Sequence, residues 1–155
     1  MIDFAAMNNL QGRYLALKKI PKQTRSKTTV EVIVQTGSLL LEEGGYAELT
    51  TNDIAERAGV SIGSVYEYFS GKDAIVTMVA SSLISTILEK MESELILAEE
   101  MELEPALRRW IFSLYQISRE QHKIISVLLF QVPFIHKIPT IVDMRRQFFR
   151  IALLG

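Results

Sequence analysis

Residues Thr50 to Ala74 read TTNDIAERAGVSIGSVYEYFSGKDA, and this stretch decides the fold. It holds two short helical patterns that meet at a glycine-marked corner. Thr50 or Thr51 fits the N-cap of the first, because a side-chain oxygen there accepts a backbone N–H that has no partner inside the helix. Asp53, three residues after Thr50, can reach back in capping-box fashion. Ile54, Ala55 and Ala58 then form a narrow apolar stripe on a helix of about two turns. Gly59 ends it, since the residue just past a helix often needs positive φ and glycine adopts that conformation without steric cost. Val60 is expected to plug the corner.

Ser61 is the next N-cap, opening a second helix in which Val65 and Phe69, at i and i+4, form the buried anchor. Ile62, Gly63, Ser64, Tyr66 and Tyr68 are left to face outward or sideways. That set is odd for a helix whose only task is stability. Glycine near a helix start costs about 1 kcal/mol against alanine, and two tyrosines beside an isoleucine are costly to leave in water. A helix lying in the DNA major groove accounts for all of it. Small residues let the backbone approach phosphates and base edges, hydroxyls donate to phosphate oxygens, and the positive end of the helix dipole faces the anion. A helix, a glycine turn and a second helix are also a common packing corner, so capping and periodicity alone leave both readings open.

The residues themselves go further. The segment closely resembles the N-terminal DNA-binding domain of the TetR/AcrR family of bacterial transcriptional regulators. That family's pattern, DIAxxAGVSxGxxYxYFxxKxxL after a Thr/Ser-rich start, is met at Asp53, Ile54, Ala55, Ala58, Gly59, Val60, Ser61, Gly63, Tyr66, Tyr68, Phe69 and Lys72, with Ile75 in the last apolar place. So many matches at fixed spacing are a specific signal. Upstream, TTVEVIVQTGSLLLEEGGY supplies the helix that the family places before the motif. Thr28 and Glu31 offer it a capping box, Val30, Ile33, Val34, Gly37, Leu40 and Leu41 share one face, and Gly44 and Gly45 are expected to stop it. Leu41 stands where the family usually has phenylalanine.

Bulk properties bound the remaining readings. The chain has 155 residues, 48% of them hydrophobic, no cysteine and a formal charge of −1, so it is a globular chain long enough for a real core and excludes a disulfide scaffold, thiolate metal sites and thiol catalysis. A reducing cytoplasm fits. No secretory leader is evident at the start, and the apolar stretch 124–135 is broken by Ser126, Gln131 and Pro133 and too short for a bilayer, which takes about 20 residues. No membrane partner is expected. Residues 1–72 balance eight cations (13, 18, 19, 22, 25, 27, 57, 72) against eight acids (3, 31, 42, 43, 48, 53, 56, 67). The distribution is uneven, because Arg13, Lys18, Lys19, Lys22, Arg25 and Lys27 follow one another with no acid between them. Such a run can lie along phosphates or reach the minor groove as an arm, or be a mobile tail.

Beyond Lys72 only helical patterns follow. Ile75, Val76, Val79, Leu83, Ile87, Met91 and Leu95 mark one long helix from Lys72 to about Ala98. An acidic linker precedes Pro105, which fits the first position of a helix carrying Leu107, Trp110, Ile111, Leu114 and Tyr115. Another pattern covers His122 to Phe130, and Pro139 opens a last one. The expected fold is all-α: a three-helix DNA-binding head with a helix-turn-helix, a long connecting helix and a helical-bundle regulatory body. Its divisions are a leader or arm at 1–23, a helix-turn-helix DNA-binding domain at 24–71 with the motif at 50–69, and a ligand-binding and dimerisation domain at 72–155.

The resemblance implies a transcriptional regulator, most often a repressor, with a small-molecule pocket in the body and a homodimer on double-stranded operator DNA. It gives Lys72 a phosphate contact. It also implies a body that runs further, ending in two helices that pair with a second subunit. The DNA-facing set is therefore Thr50, Thr51, Ser61, Ile62, Gly63, Ser64, Tyr66, Tyr68 and Lys72, with Arg25 and Lys27, and operator preference is assigned to Ile62, Ser64 and Glu67. Met91, Trp110, Phe112, Tyr115, Phe130 and Phe134 are the candidates to line a pocket for a small apolar or amphipathic effector, although such residues at helical spacing are more often plain core. His122 and His136 have no metal-ligand partner at usable spacing. With no phosphate loop, paired carboxylates or nucleophile set, no enzyme, metal or cofactor is expected. The alternative is a constitutive DNA-binding or protein-interaction module whose bundle serves only assembly.

Overall fold

The computed structural model describes residues 17–98 and 100–142. Among these there is no strand. The helices are α1 (Thr24–Glu48), α2 (Thr51–Ala58), α3 (Ile62–Tyr68), α4 (Lys72–Ala98), α5 (Leu103–Glu120) and α6 (His122–Gln131), followed by one 3₁₀ turn at Ile135–Lys137. Residues 139–142 are again helical, from Pro139 onward as expected.

The start of α1 is a correction. The helix begins at Thr24, a turn before the expected Thr28 cap. Ser26 Oγ accepts the Gln23 N–H at 3.2 Å, and Thr28 sits inside the helix with its hydroxyl donating to Thr24 O at 3.1 Å. A threonine hydroxyl can bond the preceding turn as readily as cap a new one. The expected stop at the glycine pair is partly met. Helical geometry breaks at Gly45 (φ 78, ψ 180), and one further turn carries α1 to Glu48. Pro105 lies in the first turn of α5 and not at its first position, which a helix tolerates because those N–H groups lack partners anyway.

One buried cluster runs through the molecule. Ile33, Leu41, Ile54, Val65, Phe69 and Ile75 are fully buried in the head and the start of α4, and Ile124, Val127, Leu128, Val132 and Ile138 join the same cluster from the body. At about 25 cal/mol per Å² of apolar surface, this shared burial is the main stabilising term. Helix α6 packs against α1, so the base of the head rests on the body as well as on α4. Ser81 and Thr140 meet inside, 3.3 Å apart.

A helix long and apolar enough to cross a membrane does occur, at Lys72–Met91 and not at 124–135: its mean hydropathy is 1.4. Yet 56% of that window is buried inside the protein. Ala74, Ile75, Val76 and Val79 are its core residues. The apolar length of α4 is used on α1 of the head and on α5.

Candidate nucleic-acid interface

Local chemistry builds the two-helix corner. Thr50 caps α2, its hydroxyl oxygen accepting the Asp53 N–H at 3.1 Å while the hydroxyl itself bonds the Asp53 carboxylate. Gly59 takes the left-handed conformation at φ 67 and ends α2, and the Val60 N–H turns back to Ala55 O at 3.0 Å. Ser61 then caps α3, accepting the Ser64 N–H at 3.0 Å, with the two serine hydroxyls 2.8 Å apart. Val65 and Phe69 are fully buried and anchor the helix.

The outward face of α3 carries Ile62, Gly63, Tyr66 and Glu67, all exposed, with Ser64 half-buried at its edge. Ile62 and Tyr66 are among the large apolar side chains left in water, at 38% and 44% exposure. Tyr66 is tied to the neighbouring helix: its hydroxyl lies 3.0 Å from Thr51 Oγ1. Thr51, on α2, and Tyr66, on α3, thus share one surface. Thr50 is exposed at the tip of α2.

Beside this face runs a polar cleft of about 530 Å³, lined by Gln23, Arg25, Ser26 and Thr29 from the start of α1 and by Gly59, Ser61, Ser64 and Glu67 from the motif. Arg25 therefore borders the motif directly, while Lys27 is exposed on α1 but does not line the cleft.

Tyr68 is a correction. It was expected on the outward face, but its side chain is only 6% exposed and belongs to the core cluster. It stands three residues after the buried Val65, which places both on the inner side of the helix. Lys72 is half-buried at the start of α4. Its ammonium donates to Tyr46 O at 3.1 Å and lies 4.5 Å from the centroid of the Tyr46 ring. An ammonium has three donors, so this bond leaves two.

The leader was read as either an arm or a mobile tail. Arg13 lies outside the described residues. Lys18 and Lys19 are not loose, for both are fastened to the C-terminal end of α3. Sequence reasoning missed this, and no local signal encodes a contact between residues 48 positions apart.

Tyr46 joins head and body. Its N–H donates to Gln131 Oε1 at 3.1 Å, its hydroxyl to Asp73 Oδ1 at 2.6 Å, and its ring meets Phe134 edge-on, with centroids 5.9 Å apart. Burial, and then the bond to Asp73, push its phenol up to about 12.

The six aromatic and methionine pocket candidates are scattered. Phe112, Tyr115 and Phe130 are exposed at 60%, 58% and 84%, Phe134 packs on Tyr46, Met91 is buried and Trp110 half-buried. None lines the apolar cavity of about 210 Å³ in the body. Aliphatic residues of α4 and α6 do so instead, among them Leu83, Ile84, Ile87, Ile125, Leu128 and Leu129, with Ile135 and Ile141. Periodicity marks an apolar face but not which of its members stand apart. His122 is a capping group, its Nδ1 lying 3.0 Å from Arg119 O at the end of α5.

Two short helices meeting at a capped glycine corner, the second presenting small and aromatic residues outward, form a helix-turn-helix, the motif of many DNA-binding proteins. Residues 33–79 match the profile of the bacterial regulatory proteins of the tetR family. The HTH-type transcriptional regulator YvdT of Bacillus subtilis (strain 168) is 33% identical over 76 residues, which are 49% of this chain and 38% of that one. Among solved structures, the fatty acid degradation regulator FadR from Bacillus halodurans shares the fold with a TM-score of 0.65 over 84% of this chain and 65% of its own, at 18% identity. A protein assigned to the TetR family of transcriptional regulators, from Mesorhizobium loti MAFF303099, also gives 0.65 over 78% of this chain and 60% of its own, at 23% identity. At these identities the two structures speak for the fold alone. The chain spans less than two thirds of the length of each of these three relatives.

Proposed function

We propose that the chain binds double-stranded operator DNA as a homodimer, laying α3 in the major groove, and represses transcription until a small apolar ligand in the body releases it. The observation that carries the DNA reading is the exposed pair Ile62 and Tyr66 on a capped helix, bordered by the polar cleft under Arg25. Thr50, Thr51, Ser61, Ile62, Gly63, Ser64 and Tyr66 form the contact surface, Arg25 and Lys27 reach flanking phosphates, and Lys72 adds its two remaining donors. One head reads only a half-site, so specificity requires two heads about one helical turn apart.

The aliphatic cavity is the seat of the effector. At about 210 Å³ it is smaller than the ~300–1,000 Å³ of drug-sized sites, which suits a short alkyl group. It lies between α4, which runs into the head, and α6, which packs on α1. A ligand acts there only through unequal affinity for two arrangements of the heads.

A polarisation titration on the duplex flanking the protein's own coding sequence tests this. Tyr66→Ala is expected to cost about 1–3 kcal/mol of specific binding, and a series of straight-chain alcohols and carboxylates to release the wild type. Sequence-independent binding untouched by Tyr66→Ala overturns the regulator reading. Specific binding that no alkyl compound alters favours the constitutive module, a reading to which the exposed apolar face of α5 also lends support.

A further inference from the structure

Helix α3 has 7 residues, too few to be stable alone, and the last C=O groups of any helix lack partners within it. Here one residue that precedes α1 takes two of them. Lys18 donates its backbone N–H to Tyr68 O at 2.9 Å and its ammonium to Tyr66 O at 2.8 Å. Positive charge at a helix C-terminus is favourable. Lys19 follows, its ammonium 2.5 Å from Glu67 Oε1 and 5.9 Å from the centroid of the Tyr68 ring. The bond to Glu67 also raises the Lys19 pKa above its usual value.

Glu67 is the residue that makes this matter. It follows Gly63 by one turn, on the side of α3 away from the buried Val65, Tyr68 and Phe69. An unpaired carboxylate there would face phosphates well within the screening length of about 8 Å at physiological salt. Both side chains of this pair are exposed, and exposed ion pairs add little to stability, so stability is a poor account of the pair.

We propose that Lys18 and Lys19 form a brace on the reading helix, Lys18 fixing its C-terminal turn and Lys19 cancelling the charge of Glu67 at the DNA-facing surface. Lys19 is then a positioning residue, acting on affinity and base preference through Glu67 and not by touching DNA. This rests on the DNA-binding reading of α3. With Lys19 gone, the free carboxylate repels phosphates or accepts from a cytosine amino group.

The test uses the full chain, a labelled duplex of the flanking DNA and a scrambled duplex of equal length. Lys19→Gln is expected to weaken specific binding about tenfold, Lys19→Arg to keep it, and the Lys19→Gln/Glu67→Gln double variant to recover wild-type affinity and salt slope. A double variant as weak as Lys19→Gln, with a salt slope reduced by about 1, means that Lys19 meets a phosphate itself and overturns the proposal. A second arm needs no DNA. Amide hydrogen exchange at residues 65–69 is expected to quicken several-fold in Lys18→Met while that of residues 33–41 stays as it was, and unchanged exchange at 65–69 overturns the brace. If the wild type fails to prefer its flanking duplex, the DNA reading has failed while this second arm still decides the brace.

Discussion

Helices α1 to α3 and helix α5 are built from similar amphipathic patterns and end in opposite situations. In the head, Val30, Ile33, Leu41, Ile54, Val65 and Phe69 are all buried, because α1, α2, α3, α4 and α6 close around them. In α5, Leu103, Leu107, Ile111, Phe112 and Tyr115 are exposed at 75%, 48%, 60%, 60% and 58%, and Phe130 of α6 at 84%. Only Ser113 and Ile117 of α5 are fully inside. An exposed apolar side chain therefore means different things in the two regions. In the head it is confined to Leu39 and to Ile62 and Tyr66, the last two on the outward face of α3. On α5 it is the rule, and apolar faces of that extent are uncommon on the free surface of soluble proteins.

The contrast can be broken or sharpened by substitution. Phe69→Ala should have the largest effect, about 3–5 kcal/mol by urea unfolding, since it empties a fully buried site. Gly45→Ala comes next. Its backbone conformation is nearly closed to other residues, worth about 1–3 kcal/mol, and the added Cβ would collide with Gln131 Oε1. Gln131→Ala in the same chain should recover only the steric part, which a double-mutant cycle would isolate. Smaller again, and confined to alkaline solution, is the Tyr46 effect. Its folded pKa of about 12 lies above the ordinary 10.0, so the folded state holds the proton longer and stability contributed by the phenol falls as pH rises from 10 to 12. Tyr46→Phe should flatten that part of the pH–stability curve. Phe130→Ser should change unfolding by no more than about 0.5 kcal/mol while lowering any self-association seen by sedimentation. A Phe130 variant as destabilising as Phe69→Ala would mean that the two regions do not differ after all.

The same contrast governs how much the sequence discloses. The head is legible because its signals are local: Thr50 with Asp53, Gly59, and Ser61 with Ser64 are each settled within three residues. Tyr68 misleads because tyrosine has both an apolar body and a polar tip, and its burial depends on what packs beside it. Thr28 misleads because its hydroxyl serves a helix interior as well as a cap. The cavity is illegible for another reason. Its walls are Leu and Ile, indistinguishable in sequence from core. The aromatic residues that look like pocket walls stand mostly on the outside or at the junction with the head. Lys18 and Lys19 read as a basic run until α3 is placed beside them.

The bond between Tyr46 N–H and Gln131 Oε1 spans 85 residues of chain. A polypeptide made from its N-terminus completes the helix-turn-helix long before that glutamine exists. Until α6 emerges, the Gly45 bend has no lock and one side of the head's core lacks Ile124, Val127 and Leu128. Domains commonly form as units during synthesis, but here the three-helix head gains its full set of contacts only once α6 has been translated. A free head is thus a transient of biosynthesis, and a nascent chain stalled before residue 131 would carry the motif without the fastening that holds it to the body.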